Sequence, residues 1–321
     1  MTAATLSTLK PATPAAIAEA GEIIRRGGLV AFPTETVYGL GANAEDETAI
    51  AGVFAAKGRP RFNPLIVHIR DLPQAETLAT FTPLARKLAE QFWPGPLTLV
   101  LPRKANAKLA LLVSAGLDTV ALRVPANATA QDLLTASARP IAAPSANASG
   151  TISATTAAHV ADSLKDRVDL ILDGGATNVG IESTIIGFDD NIATLLRTGA
   201  IARETIEAIT GPLAASKHGK VSAPGQLESH YAPNAALRLN ATTIAADEAL
   251  LAFGPPLTGA KATLNLSPTS DLKEAAANLF AMLRALDTKA TRIAAMPIPE
   301  TGLGEAINDR LQRAAAPRGT P

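Results

Sequence analysis

KGRPRFNPLIVHI (Lys57–Ile69) joins a basic segment to a short apolar run. Lys57, Arg59 and Arg61 occupy alternate positions, and in an extended segment this alternation would point all three side chains to one side. Three cations this close repel one another unless an anion lies nearby, and guanidinium and ammonium groups bind phosphate oxygens through charge-assisted hydrogen bonds. A phosphate-rich ligand therefore explains the segment, and a solvated basic loop is the alternative.

The flanking sequence predicts that this segment connects a helix to a strand. Asp46 is a typical helix N-cap residue, and Gly58 can end a helix that reaches Lys57. Leu65–Ile69 has the composition of a buried strand, with His68 near its end. The helix dipole favours a cation at the helix C-terminus, which explains Lys57 but neither arginine.

The composition limits the class of protein. The 321 residues suffice for two domains, and 47% of them are hydrophobic. A formal net charge of +0 argues against nonspecific nucleic-acid binding, and 3% aromatic residues argue against a stacking platform for single-stranded bases. The absence of cysteine excludes disulfides, cysteine nucleophiles and iron–sulfur clusters. Without a signal-peptide pattern or a membrane-length apolar run, we expect a cytoplasmic protein that does not contact membranes.

Polar side chains follow several predicted strands, which is where α/β proteins commonly contact ligands. They combine cations and hydroxyl groups with almost no carboxylate, which favours an anionic ligand. They are Thr34–Thr36, Lys57–Asn63, Arg123, Ser145–Ser149, Ser183 and Arg197. No standard phosphate loop, dinucleotide fingerprint, zinc-protease motif or serine-hydrolase elbow occurs.

Each of these positions also has a structural interpretation. Residues 33–44 (PTETVYGLGANA) are predicted as a loop, and Ser153 or Thr155 as the cap of the next helix. His68 could be a hydrogen-bonded core histidine. Arg123 lies within an apolar strand, so it should meet a carboxylate from the protein or from a ligand.

The composition of the chain changes after residue 210. Residues 211–235 are rich in Gly, Ser, Pro and Lys, which is typical of a linker. After them, three short strand patterns, an amphipathic helix, a further strand and a last helix over Leu303–Ala315 predict a small open α/β domain.

Seven motifs in order resemble the YrdC-type domain of threonylcarbamoyl-AMP synthases: FPTETVYGLGANA, KGRPRFNPLIVHI, FWPGPLTLVL, ALRVP, PSANASG, STII and LLRTGAI. The linker SAPGQLESHYAP and the later segments resemble the long form, which has an additional C-terminal domain. The resemblance implies an α/β fold with a twisted mixed sheet, flanking helices and a large basic cavity in residues 1–210. A linker over the active site (211–235) and a Rossmann-like domain (236–321) would follow.

The activity implied by the resemblance is that of a nucleotidyltransferase. It joins L-threonine, bicarbonate and ATP into threonylcarbamoyl-AMP and releases pyrophosphate. Mg²⁺ would be held by the phosphates, and no protein side chain is assigned to it. A downstream tRNA threonylcarbamoyl transferase would then modify adenosine 37 of tRNAs that decode ANN codons.

The resemblance also assigns site residues. Lys57 and Arg59 would be catalytic and hold the triphosphate, with Asn147 as a secondary contact. The ATP-binding set is Arg59, Asn63, Thr119, Ser145, Ser153, Arg197 and Tyr231, where Tyr231 closes over the nucleotide. The threonine-binding set is Thr34, Thr36, His68, Arg123, Ala143 (through its backbone) and Ser183. Arg61 is not assigned. Two departures are Gln226–Glu228, where the family often has Met-Lys-Tyr, and Ser153, where threonine is common.

Two alternatives accompany this interpretation. Carbamoyltransferases of hydrogenase maturation also contain a YrdC-type domain, but they carry Cys-rich zinc modules and this chain has no cysteine. The other is a non-catalytic module that binds double-stranded RNA or tRNA, and a weak contact with tRNA is also compatible with the synthase.

Overall fold

The computed structural model describes residues 8–189, 192–215, 223 and 230–317. Within these ranges the strands form one mixed sheet of eleven strands and one parallel sheet of four. The predicted α/β class, with a large mixed sheet and a smaller second α/β unit, is confirmed. No helix in the described ranges is long and apolar enough to cross a membrane.

The large sheet has the strand order β1-β8-β2-β3-β7-β4-β6-β5-β9-β10-β11. Its strands are β1 Leu9–Pro11, β2 Val30–Pro33, β3 Tyr38–Asn43, β4 Ile66–His68, β5 Leu97–Pro102, β6 Thr119–Arg123, β7 Ile141–Ala142, β8 Leu170–Asp173, β9 Thr184–Asp189, β10 Ile192–Arg197 and β11 Ala214–Ala215. The helices along this part of the chain are α1 Pro14–Arg25, α2 Glu47–Lys57, α3 Leu72–Leu78, α4 Pro83–Phe92, α5 Ala128–Ser137, α6 Ala157–Leu164 and α7 Arg203–Thr210, with a short 3₁₀ helix at Leu111–Ser114.

The small sheet has the order β12-β15-β13-β14. Its strands are β12 Ala236–Arg238, β13 Ala249–Ala252, β14 Ala262–Asn265 and β15 Arg292–Ala295, and its helices are α8 Leu272–Asp287 and α9 Leu303–Ala315. The sequence predicted the last helix with these bounds. We propose that the chain divides near residues 210 and 235 into two domains and a linker.

Local sequence explains the helix that leads to the site. Asp46 caps α2 by accepting hydrogen bonds from the Thr48 and Ala49 amides at 2.8 and 3.1 Å. Gly58 ends the helix in the left-handed conformation at φ 61°. Both predicted helix boundaries are confirmed. Lys57 is therefore the last residue of the helix, as predicted, and the alternation of Lys57, Arg59 and Arg61 does not arise from one extended segment.

Two expectations about other segments are wrong. Residues 33–44 were predicted as a loop, but Tyr38–Asn43 forms the fully buried strand β3. Its glycines reflect close packing, because a Cβ at Gly41 would lie 2.7 Å from side-chain atoms of both Phe32 and Ile141. The cap of α6 is Thr156, which accepts from the His159 amide, and neither Ser153 nor Thr155.

The hydrophobic core of the small sheet extends into the first domain. Besides side chains of α8, α9, β13 and β15, this core contains Val37, Ile152 and Ile181 from the first domain and Tyr231 from the predicted linker. The linker also contributes Ala223, which is buried against Ile66 and neighbouring side chains of the large sheet. The two sheets thus share apolar packing beside the ends of β2 and β9.

Candidate active site

A cavity opens where several strands of the large sheet end and the second domain begins. It holds about 540 Å³, counting space that is open to solvent. Its walls come from the ends of β2, β4, β6, β7 and β10, the starts of β3 and β9, the segment after α2, and the linker. They are Thr34, Thr36, Val37, Gly39, Arg59, Ile66, His68, Arg123, Ala143, Pro144, Ser145, Glu182, Ser183, Arg197, His230 and Tyr231.

The structure therefore brings ten of the predicted site residues together at one cavity. They are Thr34, Thr36, Arg59, His68, Arg123, Ala143, Ser145, Ser183, Arg197 and Tyr231. They come from separate parts of the chain, and the sheet topology places them side by side. For example, His68 and Arg123 are register partners on the parallel pair β4 and β6.

Arg59 is buried in the wall just after the end of α2. Its Nε and Nη2 donate to the backbone carbonyls of Asn63 and Pro64 at 3.2 and 2.8 Å, which leaves three of its five N–H groups for a ligand. Burial, followed by the nearby Arg197 charge, lowers the pKa of Arg59 to about 10. Among the described residues it has no carboxylate partner.

Arg123 is held by the turn after β2. Its Nη2 donates to Glu35 Oε1 at 2.6 Å, its Nη1 to Thr36 Oγ1 at 3.0 Å, and its Nε to the Gly95 carbonyl at 3.2 Å. The expected carboxylate partner is thus present in the protein itself. Two N–H groups of this guanidinium remain for a ligand.

The hydroxyl groups of the same turn have fixed directions. Thr34 Oγ1 donates to the Val37 carbonyl at 2.7 Å and lies 2.8 Å from Thr36 Oγ1. Because the Thr34 proton is committed to Val37, Thr36 must donate to Thr34 while it accepts from Arg123. Next to them, burial and then the Arg123 charge lower the pKa of His68 to about 3, so its imidazole is neutral at pH 7.

Ser183 and Arg197 meet across the antiparallel pair β9 and β10. Arg197 donates through Nε and Nη2 to the Ser183 carbonyl at 3.1 and 2.8 Å, and through Nη2 to Ser183 Oγ at 3.1 Å. A register shift between Leu195 and Arg197 interrupts β10 at this point. Such irregularities bend a strand and redirect its side chains, which here places a buried guanidinium in the cavity wall.

Five predicted residues lie behind the cavity rather than in its wall: Lys57, Asn63, Thr119, Asn147 and Ser153. The ammonium of Lys57 donates to the Ser145 carbonyl at 2.5 Å and to the Asn147 carbonyl. Burial, and then the charges of Arg59 and Arg167, hold its pKa well below the usual value. In the structure Lys57 thus fixes the loop that follows β7, and its expected contact with a triphosphate stays a prediction.

The other four residues behind the wall also support neighbouring segments. The Asn63 carbonyl accepts from Arg59, and Asn147 Nδ2 donates to the Thr151 carbonyl at 2.9 Å. Thr119 begins β6 opposite Pro102. Ser153 is fully buried and bonds to Glu182. Arg61 is exposed, and residues 226–228 lie outside the described residues.

Two carboxylates lie in or beside the cavity wall, and the sequence-based interpretation gave a role to neither. Glu35 pairs with Arg123, and Glu182 accepts from Ser153 Oγ at 2.6 Å and from Arg310 Nε at 2.8 Å. The expectation of a site with almost no carboxylate is therefore wrong. Glu35 could have been found, because it stands within the quoted turn. Nothing in the sequence links Glu182 to an arginine 128 residues later.

Comparisons with known proteins cover nearly the whole chain. The family described as "Telomere recombination" matches residues 22–199, and the family described as "Threonylcarbamoyl-AMP synthase, C-terminal domain" matches residues 201–316. A threonylcarbamoyl-AMP synthase of Bacillus subtilis is 43% identical over 94% of this chain and 93% of its own length. A threonylcarbamoyl-AMP synthase of Pyrococcus abyssi is 42% identical over 93% of this chain and 94% of its own.

A solved structure is similar over the same extent. The crystal structure of P. abyssi Sua5 complexed with L-threonine has 39% sequence identity, covers 96% of both chains and superimposes with a TM-score of 0.87. This likeness favours the catalytic interpretation over a non-catalytic RNA-binding module. With both family matches and two relatives above 40% identity, the chain belongs to the threonylcarbamoyl-AMP synthase family.

Proposed function

We propose that this cavity binds ATP, L-threonine and bicarbonate and forms threonylcarbamoyl-AMP and pyrophosphate. The observation that supports it most directly is the pair of buried guanidinium groups, Arg59 and Arg197, in the wall of one cavity. Like charges this close in a buried wall are stabilised by a polyanionic ligand. A triphosphate is such a ligand, and relatives of this chain are named for a product that contains AMP.

The proposed reaction has two bond-forming steps. The threonine amine attacks the carbon of bicarbonate, and loss of water gives a carbamate. A carbamate oxygen then attacks the α-phosphorus of ATP, and pyrophosphate leaves with the electrons of the broken P–O bond. Nucleotidyl transfer of this kind depends mostly on positioning the reactants and neutralising charge, which is what a cavity rich in arginine supplies.

The threonine side of the proposed site is built on Arg123. Its two remaining N–H groups are suited to the carboxylate of threonine, because a guanidinium binds carboxylates as a fork. Glu35 and Thr36 hold the guanidinium in place, so little freedom is lost when the substrate binds. Neutral His68 lies beside it and adds no further charge.

The nucleotide side is built on Arg59, Arg197 and Tyr231. The three unused N–H groups of Arg59 are suited to phosphate oxygens, and Arg197 adds a second positive charge to the lining of the cavity. Lys57 supports this side by holding the backbone of Ser145. We propose the remaining nucleotide contacts, Asn63, Thr119, Asn147 and Ser153, by family resemblance.

Magnesium enters this proposal as part of the substrate, bound to ATP. In the described ranges no group of three or more His, Asp or Glu side chains could hold a metal ion. Glu182 in the cavity wall and Glu35 behind Arg123 are already paired with guanidinium groups. These residues fit a metal ion that is held mainly by phosphate oxygens and water, where it would neutralise negative charge on the triphosphate.

We further propose that the product is passed to a tRNA threonylcarbamoyl transferase in the cytoplasm. A mixed anhydride of a carbamic acid and a phosphate donates its carbamoyl group readily to an amine. The exocyclic amine of adenosine 37 in tRNA is the expected acceptor.

The test is pyrophosphate release by the purified protein with ATP, Mg²⁺ and bicarbonate, measured with and without L-threonine. We expect release that requires threonine and stops when bicarbonate is removed. An Arg59→Ala variant that keeps its fold, checked by circular dichroism, should lose turnover. Release that is independent of threonine would contradict the proposed function.

A further inference from the structure

Arg310 extends from the last helix of the second domain to the back of the cavity. It lies on α9, its side chain is 1% exposed, and its Nε donates to Glu182 Oε2 at 2.8 Å. Its Nη2 donates to the Thr198 carbonyl at 2.8 Å, and its Nη1 to Asp309 at 2.6 Å. A single side chain of the second domain thus binds three groups, two of which belong to the first domain.

Glu182 connects this arginine to the cavity wall. Its other carboxylate oxygen accepts from Ser153 Oγ at 2.6 Å, and the residue itself lines the cavity next to Ser183. The charges of Arg310 and Arg197 and the bond to Ser153 lower the pKa of Glu182 despite its burial. Glu182 is therefore a carboxylate at neutral pH, within the same wall that carries Arg197.

Tyr231 is held by the same part of the second domain. Its ring stacks on Phe280 of α8, with centroids 5.3 Å apart, and Arg310 Cζ lies 5.3 Å from the ring centroid. Its backbone has φ 62°, a conformation that non-glycine residues adopt only where the surroundings enforce it. The position of Tyr231 in the cavity wall thus depends on contacts with α8 and α9.

We propose that Arg310 is a positioning residue of the synthase, which fixes the Glu182 carboxylate and the Tyr231 ring on the nucleotide side of the cavity. The proposal rests on the function proposed above. It makes the reaction in the first domain depend on a residue of the final helix, which touches no substrate itself. The second domain is then part of the active-site architecture rather than an appended module.

Removing this guanidinium has a defined electrostatic consequence. The charged or titratable groups around Glu182 are Arg310 and Asp309 on α9, Arg197 on β10, and His230 and Tyr231 in the linker. Without Arg310, Arg197 is the cation that remains near this buried carboxylate among the described residues. Glu182 would then compete with the phosphates for Arg197, or take up a proton.

The first experiment measures steady-state pyrophosphate release by Arg310→Met, which keeps an apolar stem of similar length. We expect KM for ATP to rise about tenfold or more and KM for threonine to change less than about threefold. The Glu182→Gln/Arg310→Met double variant should recover most of the affinity for ATP, because an amide accepts from Ser153 and needs no cation. Equal changes in both KM values, or no recovery in the double variant, would overturn the proposal.

The second experiment does not depend on activity. In the native protein Glu182 has a lowered pKa, so its contribution to stability is present above the pKa of the unfolded chain and is lost only in acid. In Arg310→Met we expect burial to raise the pKa of Glu182. The contribution of Glu182 to stability is then greatest in acid and falls as the pH rises. We expect the thermal midpoint of Arg310→Met, relative to native protein, to fall between pH 5 and pH 8. The double variant should abolish that slope, and a slope unchanged by Glu182→Gln would contradict the pairing.

A matched control is Arg203→Met. Arg203 also forms an ion pair between the two domains, with Glu305 of α9, but this pair is partly exposed and away from the cavity. Both KM values should stay within about twofold of native. If the native protein shows no threonine-dependent release, the proposed function fails, while the pH experiment still decides whether Arg310 holds Glu182.

Discussion

Gly180 makes a close backbone contact between the first domain and helix α8. Its φ is 78°, and a Cβ built on it would lie 2.5 Å from the Ala276 carbonyl oxygen and from two backbone atoms of Ala277. Real Cβ atoms do not approach backbone atoms this closely, so Gly180→Ala must push α8 away or distort the loop before β9. We predict that this single methyl group weakens the contact between the domains.

The expected loss of unfolding free energy in Gly180→Ala is the sum of two separate costs. An alanine in the left-handed region costs about 1–2 kcal/mol. Forcing a methyl group into a packed contact adds about 1–3 kcal/mol. The free energy of unfolding should therefore fall by about 2–5 kcal/mol. Because α8 carries Phe280, which stacks on Tyr231, the same variant should raise KM for ATP.

The chain contains a matched control for this prediction. Gly175 has a similar φ of 84°, but a Cβ there would meet nothing within 4 Å. Gly175→Ala therefore has only the conformational cost, about 1–2 kcal/mol. Urea unfolding, followed by circular dichroism and by the fluorescence of the single tryptophan, Trp93, measures both variants. Equal losses of stability in the two would refute the close contact at Gly180.

Three further predictions concern the cavity. Arg59→Lys keeps the charge but replaces a planar fork of five donors with three donors on one nitrogen, which cannot keep both carbonyl bonds and also bind a phosphate as a fork, so the affinity for ATP measured by calorimetry should fall about 10- to 150-fold, whereas the exposed Arg61→Ala should bind normally. Lys57→Ala leaves two loop carbonyls without their donor, so it should lose about 2–4 kcal/mol of unfolding free energy as well as turnover; native stability would contradict this. Tyr231→Ala should weaken binding of ATP more than of threonine, and equal effects on both ligands would count against its place on the nucleotide side.

Much of the fold was predictable because its signals are local. The ends of α2 follow from Asp46 and Gly58, and α4 follows from Thr82 and Pro83, a cap followed by proline in the first turn. β3 was missed for the opposite reason. Its glycines resemble a loop when only the sequence is considered, and they make sense only beside Phe32 on the neighbouring strand.

The site residues likewise include some that could be predicted from the sequence and some that could not. Residues at strand ends, such as Thr36, Arg123 and Arg197, could be predicted because topology brings the ends of neighbouring strands to one edge. The pairing of Glu182 with Arg310 could not, because it joins residues far apart in sequence through tertiary packing. The bonds of Lys57 to the Ser145 and Asn147 carbonyls could not be predicted for a related reason, since Ser145 lies 88 residues later in the chain.

The core shared by the two domains also affects how the chain folds while it is being translated. Val37, Ile152 and Ile181 leave the ribosome long before the helices that cover them. At about 5–20 residues per second, roughly 6–26 s pass between the synthesis of Ile181 and that of Leu311. During this time a nearly complete first domain exposes an apolar surface, which is a binding site for chaperones and for other nascent chains. Prematurely terminated products would keep that surface permanently, so we expect them to aggregate.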